Sequence, residues 1–138
     1  MKTRVSFVSN SSSSSYVISL RDGSTADDAE RSLLEHFGVP ESSLLYDFAK
    51  AAARRLAHES FEKIGNHVDL FRELWYNGPE DVDPGSLGEW MLNQINGGAI
   101  LLVGSVSNES IDPSEFWLVD VEIDYDDGKV AVKKEAGF

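Results

Sequence analysis

Three groups of residues in this chain have side chains suited to chemistry. The first is Asn10-Ser11-Ser12-Ser13-Ser14-Ser15, an unbroken polar run between Val5, Phe7 and Val8 on one side and Tyr16, Val17, Ile18 and Leu20 on the other. A serine-rich loop can cradle a phosphate with its hydroxyls and backbone N–H groups. Lys2, Arg4 and Arg21 are the basic residues nearest this one, in a stretch without acids. Asn10 to Ser15 with Arg4 and Arg21 therefore form a candidate anion-binding set. The run has no glycine, no following Gly-Lys-Ser/Thr and no immediate helix, so it is not a P-loop. Its serines are also acceptors for phosphorylation, and its plainest role is a polar hairpin loop.

The second group is Asp120, Glu122, Asp124 and Asp126, alternating with Val119, Val121, Ile123 and Tyr125. On a strand, residues two apart share a face at about 6.6 Å spacing. Such a row of carboxylates resembles the repeat of nucleic-acid phosphates, and two neighbours can bridge a divalent ion. The plainer reading is a solvated face paired with lysines across the sheet. The third group is His36, His58 and His67, which show neither the i,i+4 nor the His-x-His spacing of a metal pair. His67 and Asp69 are two apart on an expected helix and do not face each other. His58 points away from Leu56, towards the solvated side. No catalytic constellation emerges, and neither a metal nor a cofactor is expected.

Composition narrows the function classes. The 138 residues fit one domain, with 41% hydrophobic residues and no cysteine, which excludes disulfides and thiol chemistry. No apolar run approaches the roughly 20 residues of a membrane span. Lys2 and Arg4 are not followed by the apolar core of a signal peptide, so a cytoplasmic protein is expected. Residues 1–21 carry +3 and residues 22–138 carry −15, for a net charge of −12. Direct nucleic-acid binding is disfavoured, because it needs a positive face.

The elements that must position these groups are legible. Thr3–Val8 and Tyr16–Leu20 alternate as strands, and residues 9–15 would join them as a hairpin loop. Ser24 or Thr25 can cap a first helix carrying Ala29, Leu33, Leu34 and Phe37, which Gly38 and Pro40 end. A second helix is expected from about Glu41–Ser43 to Phe61–Ile64, a third over His67–Trp75, and a fourth bearing Leu87, Trp90, Met91 and Ile95. Ala99–Val106 reads as a strand buried on both faces. Phe116–Tyr125 and Lys129–Lys133 read as a hairpin turning at Asp127-Gly128, with Tyr125 opposite Val130 and Glu122 opposite Lys133. The expected fold is a single α+β domain over residues 1–138, with one mostly antiparallel sheet and helices on one face.

Phe7-Val8-Ser9-Asn10-Ser11-Ser12-Ser13-Ser14-Ser15-Tyr16, preceded by Lys2 and Arg4, resembles a segment that opens many otherwise dissimilar uncharacterised bacterial and bacteriophage proteins. That segment reads Gly-Phe-Val-Ser-Asn-Ser-Ser-Ser-Ser-Ser-Phe; here Ser6 and Tyr16 replace the glycine and the last phenylalanine. The resemblance covers residues 1–18 and implies bacterial or phage provenance. With the charge, it leads to a non-enzymatic acidic accessory protein that binds and modulates a host protein, conceivably as a nucleic-acid-mimicking inhibitor. The alternatives are a phosphate- or nucleotide-binding transferase using the serine loop, and a structural virion component.

Overall fold

A computed structural model describes residues 13–60, 62–75, 85–107, 118 and 120–134. In chain order the elements are β1 (Ser13–Leu20), α1 (Ala26–Phe37), α2 (Tyr46–His58), β2 (Glu62–Ile64), α3 (His67–Trp75), α4 (Gly85–Asn96), β3 (Ile100–Ser107), β4 (Ile123–Asp126) and β5 (Val130–Lys134). The strands form one sheet in the order β2-β3-β1-β5-β4, antiparallel at every step. The fold is α+β. The first and last strands lie side by side, with Leu20 opposite Val130 and Tyr16 opposite Lys134.

Local chemistry accounts for the helix ends. Thr25 and Asp28 form a reciprocal capping box on α1, and Gly38 closes it at φ 67°, a left-handed conformation that a side chain would resist. Thr25→Ala is expected to cost about 1 kcal/mol, read from the urea midpoint at constant slope. The Asn66 carboxamide oxygen accepts from the Asp69 N–H and caps α3.

Four expectations need correction. Ser13, Ser14 and Ser15 are strand residues, paired with Ser107, Val106 and Ser105, and do not belong to a hairpin loop. β3 stays extended through Ser107, so the ladder continues past Tyr16 through backbone hydrogen bonds, which serine supplies as well as valine does. The first half of the expected hairpin lies outside the described residues. Secondly, α2 ends at His58, and Glu62–Ile64 pairs with β3 instead of extending the helix. Ile64 is fully buried there, and the free edge of β3 outweighs the local helical pattern.

Thirdly, helices cover both faces. Tyr16, Ile18, Leu102 and Val132 pack with Leu33 of α1 and with Ala52, Ala53 and Leu56 of α2. Val17, Leu101 and Val103 pack on the other face with Leu70 of α3 and with Met91 and Ile95 of α4. β1 and β3 are apolar on both sides, so one helical layer could not remove both from water. Fourthly, the terminal hairpin turns one residue later. Asp127 N–H donates to the Val130 carbonyl at 3.0 Å, and the Asp127 carboxylate accepts the Lys129 and Val130 N–H groups. Gly128-Lys129 thus become the loop. Gly128 has φ 96° while Lys129 has no positive φ, which excludes a type I′ turn. The pairing shifts by two residues, to Tyr125 opposite Val132 and Asp124 opposite Lys133. A shift of two preserves which face each side chain occupies.

Candidate functional site

Among the described residues of the anion-binding set, Arg21 stands apart from the serines. Arg21 follows the last residue of β1 while Ser13 begins it, which separates them by about 26 Å of extended chain. Arg21 is also committed elsewhere. Its Nη1 and Nη2 donate to Asp126 Oδ1 and Oδ2 at 2.7 and 2.9 Å, and its Nε donates to Gln94 Oε1 at 2.9 Å. The same Gln94 oxygen accepts from the buried Ser19 hydroxyl. This bidentate pair holds the Asp126 carboxyl below the usual carboxylate range. Arg4, Asn10, Ser11 and Ser12 lie outside the described residues.

The carboxylate row is also broken. β4 begins only at Ile123, so Asp124 and Asp126 are strand residues while Asp120 and Glu122 precede it. Val121 N–H bonds back to the Leu118 carbonyl, a turn where an extended strand was expected. Asp124 accepts from Lys133 Nζ at 3.2 Å, and that ammonium also sits 5.5 Å from the Trp90 ring centroid. Lys133 and Arg21 thus each pair with one of the two β4 acids.

A polar cluster that the sequence did not signal joins α1 to the terminal hairpin. Ser32 Oγ donates to Asp127 Oδ2 at 2.7 Å and lies 2.7 Å from Tyr125 Oη. The Tyr125 ring stacks on His36, with centroids 4.4 Å apart and planes at 17°. A cleft of about 540 Å³ opens beside Ser32 and Asp127, walled by Asp28, Glu35 and Lys129. Burial pushes the Tyr125 phenol up to about 12. Burial also pushes Asp127 up, but the N–H groups of Val130 and Lys129 and the Ser32 hydroxyl together bring it below the ordinary carboxylate range. Both Asp127 oxygens are used by these donors, and His36 stacks on the tyrosine. The cluster latches helix to hairpin.

At the α1–α2 junction, Val39, Leu45, Phe48 and Ala49 enclose an apolar pocket of about 310 Å³. Leu44 beside it is fully exposed and Leu45 is 63% exposed. Burying a leucine is worth about 1.5–3 kcal/mol, so the fold gains nothing from the Leu44 side chain and only part of that from Leu45. The exposed acids Glu41 and Asp47 flank them in the chain.

The histidines separate by environment. His67 Nε2 meets Asn96 Oδ1 at 2.6 Å. His58, in the last turn of α2, reaches two carboxylates at the start of α1, Glu30 Oε1 at 2.9 Å and Asp27 Oδ1 at 3.3 Å. Spacing along the chain could not reveal this group, because His58 lies 28 residues beyond Glu30 and farther still from Asp27.

Among the described residues, no helix is long and apolar enough to cross a membrane. Compared with protein-family models, curated proteins and solved structures, the chain matches none of them.

Proposed function

We propose that this chain is a non-enzymatic accessory protein of bacterial or phage origin that binds and modulates a host protein. The contact is an apolar side chain of the partner, seated in the Val39–Phe48 pocket against Leu44 and Leu45. The observation that carries this reading is a fully exposed Leu44 beside an apolar pocket. Exposed apolar patches with polar rims are where protein interfaces form, and buried anchors at their centres supply most of the binding energy. The −15 charge of residues 22–138 favours a basic partner surface, which would speed encounter at low salt. The same charge disfavours direct nucleic-acid binding. Since Lys133 and Arg21 pair with the β4 acids, the anchor rests on apolar contact and not on imitation of phosphates.

The test is retention of host-lysate proteins at low and physiological salt by the wild type and by Leu44→Asp. A basic partner should be retained by the wild type and weakened about tenfold or more by the substitution. Retention of no partner at either salt, or equal retention by both proteins, would refute the proposal. Sedimentation of the wild type separates self-association from capture of a second protein.

A further inference from the structure

We infer that Asp27, Glu30 and His58 form a binding site for a first-row divalent transition ion, with Zn2+ as its probe. Their ligand atoms, one from each residue, all lie within 4.8 Å of one another. His58 Nε2 stands 2.9 Å from Glu30 and 3.3 Å from Asp27. Donors about 2.0–2.1 Å from a zinc ion are about 2.9–3.4 Å apart in octahedral or tetrahedral arrangements, so both distances are coordination edges.

The hydrogen-bond inventory points the same way. Two carboxylates converge on one ring nitrogen, which carries at most a single proton. That proton can be aimed well at only one of them. No lysine or arginine among the described residues forms an ion pair with Asp27 or Glu30. A divalent ion between the three would give all of them a ligand bond, and would balance the two carboxylate charges beside a neutral imidazole.

The donor set selects the ion class. Nitrogen with two carboxylate oxygens suits zinc and its neighbours, whereas magnesium and calcium prefer oxygen alone. Three protein ligands leave a further position to water, as in open zinc sites. The ligands are also pre-positioned: the Glu30 side chain is 18% exposed and His58 34%, held at the junction of the two helices, while Asp27 is 76% exposed. Binding would pin the last turn of α2 to the first turn of α1.

Calorimetric titration of the metal-stripped full chain with Zn2+ tests this. The expected result is one equivalent bound, with affinity lowered at least tenfold by His58→Ala and by Glu30→Gln, and less by Asp27→Asn. Co2+ should show d–d absorption that His58→Ala removes. Far-UV circular dichroism confirms that each variant is folded, and the two main variants lie on different helices, so failure of one leaves the other informative. Absence of binding, binding unchanged in both variants, or Mg2+ binding as tightly as Zn2+ would overturn the inference.

Discussion

Gly104→Ala is expected to destabilise the protein by about 3 kcal/mol, the upper part of the range for overpacking a closed core. Tyr16 and Gly104 are opposite each other in the β1–β3 ladder, and the tyrosine ring crosses the glycine to reach α2. Its hydroxyl donates to the Leu56 carbonyl at 2.8 Å, and the residue is fully buried. A Cβ on Gly104 would lie 2.8 Å from Tyr16 Cε1 and nearer still to the end of the ring. The hydrogen bond to α2 and the close packing around the ring prevent it from swinging aside.

Where the backbone conformation suits alanine and the space is open, glycine-to-alanine substitution stabilises by about 0.4–1 kcal/mol through the unfolded state. Gly65→Ala is therefore the internal control, since nothing lies within 4 Å of its added Cβ. Tyr16→Ala should itself cost about 3–5 kcal/mol. Combined with Gly104→Ala, it should cost less than the two effects added, because the removed ring vacates the space the methyl needs. Urea unfolding at constant slope measures the four variants against wild type. A Gly104→Ala midpoint equal to that of wild type would sink this account of Tyr16.

The second large effect is a rise in stability between pH 8 and about pH 10, absent in Lys134→Met. Lys134 is buried at the end of β5, with its Nζ 2.6 Å from the Val121 carbonyl oxygen. Burial pushes its ammonium down to about 8 from an ordinary 10.5, with Asp120 opposing in part. The unfolded chain keeps the ordinary value, so above pH 8 it binds more protons than the folded chain does. Stability then rises with pH, and the penalty for burying the charge is fully present below pH 8. The full change is on the order of 3 kcal/mol.

Tyr125 acts in the opposite sense. Its phenol is pushed up to about 12 by burial, so the unfolded chain loses that proton first and stability falls above pH 10. The difference between wild type and Lys134→Met isolates the lysine from this and from the general charge. Methionine keeps the packing of the stem but leaves the Val121 carbonyl without this donor, at about 1 kcal/mol. The variant should therefore be more stable than wild type at pH 7 by about 1–2 kcal/mol. Parallel pH profiles for the two proteins would refute the assignment.

The sequence was most legible where the signal is local. Thr25, Asp28 and Gly38 bound α1 because capping needs only residues a few positions apart. Ala99–Val106 could be read as a doubly buried strand because its apolar run is nearly continuous, and β3 occupies Ile100–Ser107. Legibility failed wherever a distant partner decided the outcome. Glu62–Ile64 continues a helical pattern, but the open edge of β3 claims it. Asp127-Gly128 has the composition of a hairpin turn, yet the Asp127 carboxylate draws in the N–H groups of Lys129 and Val130 and the turn moves by one residue. The carboxylate row depended on a long strand that begins only at Ile123.

The candidate sites divide along the same line. Sequence by itself determined the α+β class, the caps, the faces of β1, β3 and β5, and the strongly acidic balance, because periodicity and composition record which surfaces must leave water. Tertiary structure alone decided that Arg21 is held by Asp126 far from Ser13, that Ser32 meets Asp127, and that His58 meets Asp27 and Glu30. Those pairings join residues 28 to 105 positions apart, and only packing of the elements brings them within reach of each other.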